Sequence, residues 1–328
     1  MATYRTSKRK IWVKRSVIFS LLLIFAIAVA LVGSYIFVEY FQPAPASARP
    51  EKNTSGVVVS TIPVETKQYE TVTKEKEDMY KGPLILVNNK NLCQFKEEGD
   101  LVGVLEQKQG NYKVSDRNVK VNRAVMKPLD AMLGAFRQAT GFGDLLVASG
   151  YRSKELQESL FQREVEQKGE EEAALWVAKP GGSEHHSGYG IDFSIYTDLG
   201  ISMEYAGTGK CAWINQNCYQ YGFVVRFPED KEEITGIDYE PWHFRYVGIP
   251  HAYIMNQHGF CLEEYIEFLK DYPFDKPHLN VTDDAGQKYE IYYVKGQGER
   301  TEIQVPKQTE YSISGNNQDG FIVTAKRA

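Results

Sequence analysis

An α+β fold is predicted for this chain by three observations. Apolar residues at helical spacing alternate with short β-branched runs through the middle of the sequence. Several His, Asp and Glu residues fall on or beside the runs that read as strands. After Pro277, four short strand-like runs are separated by Gly, Pro and Asn turns. The expected architecture is a small antiparallel sheet flanked by helices, with a transmembrane helix before it and a β-rich extension after it.

The N-terminal elements are read from charge and apolar length. Residues 1–16 hold Arg5, Lys8, Arg9, Lys10, Lys14 and Arg15 with no acidic residue, and residues 17–38 hold no charge at all. At about 1.5 Å per residue such a run is long enough to cross a bilayer, and the basic flank places the N-terminus in the cytoplasm and the remainder outside. A cleaved signal peptide is the competing reading, with Ala46-Ser47-Ala48 as the small-residue site. The apolar run exceeds the roughly 7–15 residues of a signal h-region, which favours an uncleaved anchor. Residues 39–80 read as a linker that starts Pro43-Ala44-Pro45 and ends in the charged Lys74-Glu75-Lys76-Glu77-Asp78. As a flexible coil it would have a mean reach of about 35 Å.

Residues 81–275 read as one domain of the 328-residue chain. A short strand over 84–87 opens it, and Asn88-Asn89 closes that strand. Val125, Leu129, Met132, Leu133 and Phe136 mark a helix that Gly141 and Gly143 end. A buried strand over 145–148 delivers Arg152 just past its end, and helices follow over about 153–167 and 170–178. In the strand over 189–196, Ile191, Phe193 and Ile195 share one face, so Asp192 lies on the other. A helix over 211–221 is capped by Gly222 and leads into a strand over 223–227. Pro250 suits the first turn of the next helix, and Leu262, Tyr265, Ile266 and Leu269 form the stripe of the last. Residues 276–328 supply strands over 289–294, 301–305, 311–314 and 321–325, read as a β appendage serving as structural cover or binding the wall or a partner. Cys211 and Cys218, seven apart on a helix, lie about 10 Å from each other and cannot bridge, while a pairing of Cys93 with another cysteine stays open.

The chemistry is carried by residues 183–192, Ser-Glu-His-His-Ser-Gly-Tyr-Gly-Ile-Asp, and 240–243, Glu-Pro-Trp-His. Zinc takes three protein ligands from His nitrogens and carboxylate oxygens and keeps one position for water, while a separate carboxylate collects that water's proton. His185, Asp192 and His243 supply such a ligand set for one zinc per chain, and Glu240 the base. Each of these residues alone has an ordinary reading as surface or core. It is the set, compact and interleaved with Gly188 and Gly190, that points to a metal.

These motifs resemble the VanY-type D-alanyl-D-alanine carboxypeptidases, zinc metallopeptidases of the lysostaphin, D-Ala-D-Ala metallopeptidase and hedgehog superfold. The family's Ser-x-His-x-x-Gly-x-Ala-x-Asp stands at 183–192 with Gly190 in place of Ala, its Glu-Pro-Trp-His-x-Arg-Tyr-Val-Gly at 240–248, and its Ser-Gly-Tyr-Arg-Ser at 149–153, followed by Gln157. Tyr221-Gly222-Phe223 and Arg226-Phe227-Pro228 also resemble family positions, and the likeness covers roughly residues 84–270. It implies that Arg152 faces a substrate carboxylate or a developing oxyanion, and that Gln157 and Ser183 contact substrate at the peptide's C-terminal carboxylate. Trp242 and Tyr246 read as packing around the site, His186 as pointing away from it, and His251, His258 and His278 have no assigned role.

The resemblance implies removal of the terminal D-Ala from peptidoglycan stem peptides. Two alternatives stand beside it: cleavage after an L-centre or within the stem, as an L,D-carboxypeptidase or endopeptidase, and a non-catalytic zinc protein that binds the wall. Glu240 and Arg152 argue against the last, since a structural zinc site needs neither. Without the six N-terminal basic residues the chain has 32 basic against 43 acidic residues, a formal charge of −11, which excludes nucleic acid as the expected partner. The expected partners are the stem peptide and, through the N-terminal helix, the membrane; no feature of the sequence specifies an oligomer.

Overall fold

The computed structural model describes residues 24–34, 60–62, 68–94 and 100–327. One sheet contains, in spatial order, β4 (Lys113–Val114), β6 (Leu145–Ser149), β7 (Gly190–Tyr196), β10 (Glu240–Tyr246) and β9 (Phe223–Phe227), with β8 (Ser202–Met203) beside β7. The second runs β1 (Ser60–Ile62), β11 (His278–Thr282), β12 (Lys288–Lys295), β15 (Gly320–Arg327) and β14 (Tyr311–Gly315). Two ribbons complete the set: β2 (Tyr69–Glu75) with β13 (Arg300–Pro306), and β3 (Leu101–Gly103) with β5 (Lys120–Asn122).

The predicted α+β class is observed, with one change in the first sheet. It is mixed, because β4 joins β6 in parallel while the other pairs are antiparallel. Helix α1 (Arg123–Thr140) is N-capped by Asn122, whose side chain accepts from Ala124 N, and ends at Gly141 with φ 68°. Its buried face, Val125, Met126, Leu129, Met132, Leu133 and Phe136, shares one core with Val147, Ile191, Phe193 and Phe244 of the sheet. Helices α2 (Lys154–Lys168) and α3 (Glu170–Trp176) follow, the first capped by Ser153. The helix expected over 211–221 is broken: only α4 (Ala212–Asn217) is α-helical, with 3-10 turns at both ends.

A second core joins the C-terminal sheet to the rest. Ala252, Ile254 and Met255 of α5 (Ile249–His258) and Leu262, Tyr265, Ile266 and Leu269 of α6 (Leu262–Leu269) pack with Leu279, Val281, Ile291 and Ile322. His251 belongs to the same join, bonding Tyr265 Oη at 2.7 Å and Thr324 Oγ1 at 2.9 Å. The four predicted C-terminal strands are present, preceded by β11; β11, β12 and β15 contribute to this core, and β13 and β14 pack into a smaller one.

Three expectations are corrected. Residues 84–87 are buried but form no strand, because their polar groups are taken by other partners: Leu84 N donates to Ser314 Oγ, Leu86 N to Asn316 O, and Ile85 O accepts from Arg245. The linker ends earlier than residue 80. β2 pairs with β13 from Tyr69 opposite Pro306 to Glu75 opposite Arg300, Lys76–Tyr80 is a 3-10 helix, and Ser60–Ile62 pairs with β11. Cys93, Cys211, Cys218 and Cys261 are all buried and none is in a disulfide, so the pairing left open for Cys93 is not made. The expected anchor over 17–38 lies largely outside the described residues. Residues 24–34 are helical, and among the described residues no helix is long and apolar enough to cross a membrane.

The position of β2 generates a prediction. Tyr69 and Met79 cover a small core with Tyr292, Ile303, Val305, Phe321 and Val323. A fragment that begins at Ser60 keeps both β1 and β2, whereas one that begins at Lys81 loses them and uncovers Ile303 and Val305, at a cost of at least about 2 kcal/mol. Its melting midpoint, followed by circular dichroism, should fall by about 4–8 °C.

Candidate metal centre and peptide cleft

Strand pairing places two of the predicted ligands side by side. β7 and β10 run antiparallel with His243 directly opposite Asp192. His185 comes from a 3-10 helix, Glu184–Ser187, that ends at Gly188 with φ 72°. A Cβ at Gly188 would lie 2.7 Å from Leu101 Cδ2 and 2.8 Å from Asn122 N, so only glycine allows this tight return into β7. Donor atoms of His185, Asp192 and His243 then lie within 4.8 Å of one another.

The donor chemistry of the three residues fits a cation. His185 Nδ1 is 2.5 Å from Gly150 O, and a carbonyl only accepts, so Nδ1 carries the proton and Nε2 a lone pair. That lone pair faces Asp192 Oδ2 at 3.2 Å. Burial, with the nearby charge of Arg152, pushes the His185 pKa down to about 4, so the ring is neutral at neutral pH. Burial also works against the charge of Asp192, yet the Arg152 guanidinium and the hydrogen bond from His243 hold its carboxyl well below the usual range. A lone pair and a carboxylate that face each other in a buried site are relieved by a cation between them. His243 Nδ1 lies 2.7 Å from Asp192 Oδ1. Burial opposes the charge of this ring as well, but its hydrogen bond to Asp192 and the nearby Glu184 carboxylate outweigh burial and lift its pKa to about 9. His243 therefore offers a proton in the place where a metal ion would sit.

Backbone geometry sets the His185 orientation. A Cβ at Gly150 would come 2.1 Å from Lys120 O, so the carbonyl that orients the ring sits where only glycine fits. Arg152 follows two residues later, donating from Nε to Ser149 Oγ at 2.9 Å and from Nη2 to Asp192 Oδ2. His186 is turned away, as expected, with Nδ1 donating to Arg152 O at 2.8 Å and Nε2 accepting from Gly181 N at 3.1 Å. At Gly190, an alanine Cβ would touch His243 Cε1 at 3.3 Å, a tight contact against the ligand ring.

All the predicted site residues, Arg152, Gln157, Ser183, His185, Asp192, Glu240 and His243, line one cleft of about 690 Å3. Glu240 opens β10, opposite Phe227 of β9, and its carboxyl makes a buried wall of this cleft. Burial, against the pull of the His243 charge and aided by Asp192, pushes its pKa up to about 7. Gln157 is buried, and its Nε2 donates to Ala178 O at 2.8 Å. Its Oε1 has no hydrogen-bond partner, which suits a substrate N–H. Ser183 is buried on the same wall. Leu156, Leu160 and Trp176, from α2 and α3, extend the cleft away from the ligands.

Sequence reasoning assigned no role to a buried ionic network behind the ligands. Glu184 Oε1 accepts from Arg226 Nε at 2.7 Å and from Arg245 Nη1 at 2.5 Å. Arg226 makes a two-pronged contact with Glu263 at 2.9 and 2.7 Å, and Asn88 Nδ2 donates to the same carboxylate at 3.0 Å. Burial works against the Glu184 charge, but the two arginines hold its carboxyl far below the usual range. The signal that could have found the network was available: Arg226 and Arg245 stand inside apolar strand runs, where an unpaired charge is not tolerated.

Residues 118–249 match a family model described as VanY, D-alanyl-D-alanine carboxypeptidase. The chain is 37% identical over 263 residues to a D-alanyl-D-alanine carboxypeptidase of Enterococcus faecium, covering 79% of this chain and 80% of that relative. It is 30% identical over 266 residues to a D-alanyl-D-alanine carboxypeptidase of Enterococcus faecalis, covering 77% and 90%. Both matches are longer than the segment 84–270, so they take in flanking sequence as well. Among solved structures, the vancomycin-resistance D,D-dipeptidase VanXYg in complex with a D-Ala-D-Ala phosphinate analogue matches with a TM-score of 0.70 at 35% identity, over 79% of this chain and 99% of that one. With its motifs, its cleft and these relatives, the chain belongs to the VanY family of D-alanyl-D-alanine carboxypeptidases and is a peptide hydrolase of that class.

Proposed function

We propose that the protein is a membrane-anchored zinc carboxypeptidase that removes the terminal D-Ala from peptidoglycan stem peptides ending in D-Ala-D-Ala. One observation carries the reading: a buried carboxyl poised near neutrality, Glu240, shares a cleft with a three-donor cation site and an arginine. Held by His185, Asp192 and His243, zinc would lower the pKa of a water from 15.7 toward about 7.

Glu240 takes a proton as the water attacks the peptide carbonyl and returns it to the leaving amine; a carboxyl near pKa 7 serves both steps. Arg152 spends one N–H on Ser149 and one on Asp192, and its remaining donors suit the substrate's terminal carboxylate or the developing oxyanion. Gln157 Oε1 accepts from a peptide N–H, and the Ser183 hydroxyl adds a polar contact on the same wall. The apolar stretch formed by Leu156, Leu160 and Trp176 gives the cleft room for stem residues beyond the two D-alanines.

Three substrates separate the possible specificities: a pentapeptide stem ending in D-Ala-D-Ala, a tetrapeptide ending in one D-Ala after an L-centre, and free D-Ala-D-Ala. Mass analysis should show loss of one D-Ala from the pentapeptide ahead of the other two. Preference for the tetrapeptide would establish L,D-specificity instead, and preference for the free dipeptide a dipeptidase. Glu240→Gln should retain about one zinc per chain and lose at least about a hundredfold in kcat, whereas His243→Ala should lose metal and activity together. Near-parental turnover of Glu240→Gln would remove it as the base.

The pH profile gives a separate prediction. Glu240 acts as a base only when ionised, so kcat/KM should fall as pH drops through its pKa. A cation at the neighbouring ligands favours the carboxylate, which puts the midpoint of the acid limb at or below about 7. An acid limb centred above pH 8 would be incompatible with this assignment.

Anchoring is supported by the uncharged stretch 17–38 behind six basic residues, which would place the catalytic domain on the outer face of the cell membrane. Protease added to wall-stripped cells should release that domain by cutting on the N-terminal side of Ser60. Protection of the domain alongside cytoplasmic markers would reverse the orientation.

A further inference from the structure

We propose that Glu184 is a positioning residue for His243: its Oε2 receives the Nε2 proton of His243 while Nδ1 serves as the metal ligand, and Arg226 and Arg245 fix the carboxylate for that purpose. The proposal rests on the zinc reading above and adds a residue that this reading does not use.

The two ring nitrogens of His243 have different surroundings. Nδ1 points at Asp192, the side on which the other donor atoms gather. Nε2 is buried without a hydrogen bond, and the carboxylate oxygen opposite it, Glu184 Oε2 at 3.6 Å, is also buried without one. Two unpartnered polar atoms facing each other across 3.6 Å are a bond that a small rotation of the ring completes. Once Nδ1 gives its lone pair to a metal, the neutral ring carries its only proton on Nε2, and Glu184 is the acceptor in line for it. The other oxygen, Oε1, is occupied by both arginines, so the carboxylate cannot swing away from the ring.

A purely structural account would make Glu184 only a counter-charge for two buried arginines. Glu263 separates the accounts, because it belongs to the same network through Arg226 but its recorded hydrogen bonds run to Arg226 and Asn88. Glu184→Gln and Glu263→Gln should both lower the melting midpoint. Only Glu184→Gln should weaken zinc, by about ten- to a hundredfold in competition with a chromophoric chelator, and only it should shift the visible spectrum of the cobalt(II)-substituted protein. Parental zinc affinity in Glu184→Gln, or equal weakening in Glu263→Gln, would overturn the proposal. Should Glu184→Gln fail to fold, the zinc-loaded parent with 15N-labelled histidine still decides: His243 must show a protected Nε2–H and a metal-bound Nδ1, and the reverse tautomer rules Glu184 out. A parent chain that binds no zinc would instead defeat the zinc reading itself.

Discussion

The buried carboxylate of Glu184 is the point on which fold and site both depend. It brings together Arg226 from β9, Arg245 from β10 and its own 3-10 helix, which presents His185 one residue later. Through Arg226 the network reaches Glu263 on α6, and through Arg245 it holds the carbonyls of Pro83 and Ile85 at 2.8 Å. Charges buried this deeply cost several kcal/mol each unless every partner is in place, and removing one partner typically costs about 3–5 kcal/mol. The network therefore cannot loosen locally. It clamps the ligand helix, the catalytic sheet and the segment over 84–87 into one arrangement, and the cation site inherits that rigidity.

Three acidic side chains within this small volume do different work because their surroundings differ. Glu184 is kept ionised by two arginines, and Asp192 by Arg152 and His243. Glu240 lies at the edge of the same region without a dedicated cationic partner, and burial raises its pKa to about 7. Environments that push the pKa values of neighbouring carboxyls apart suit them to different roles: the two held low to ligation and support, and the one raised to moving a proton. The same residue type could not serve all three positions if the arginines were placed evenly.

That His185, Asp192, His243 and Glu240 would meet in one cleft was legible in the sequence because polar residues stood at fixed places in strand-like runs, and strand alternation put Asp192 on the face away from Ile191 and Phe193. What was not legible depends on contacts between distant residues. β2 carries one buried side chain, Tyr69, among mostly exposed positions, so its composition reads as linker; its partner β13 lies more than two hundred residues away. Residues 84–87 have the apolar content of a strand, but Arg245 and Asn317 claim their carbonyls. The orientation of Gln157 follows from Ala178 O, a backbone atom that no spacing rule connects to it. Arg226 and Arg245 were visible as charges inside apolar runs, yet only the fold shows that they meet at one carboxylate.

The early strands also change what the N-terminal sequence can do. With β1 pairing to β11 from Ser60 onward, only about 21 residues separate the end of the uncharged stretch at Val38 from the folded body. A flexible coil of that length has a mean reach of about 25 Å and a fully extended limit of about 70 Å. The roughly 35 Å mean reach expected from a linker ending at residue 80 is correspondingly too long. In a cell where residues 17–38 span the membrane, the cleft would work close to the membrane surface, on the stem peptides nearest to it. The body is fastened at the same end: β1 is paired to β11 of the C-terminal sheet and β2 to β13, that sheet shares its core with α5 and α6, and α6 supplies Glu263 to the network behind the cation site. Tension on the tether would thus load the C-terminal sheet first. In that anchored arrangement the C-terminal strands would be the mount between tether and catalytic sheet.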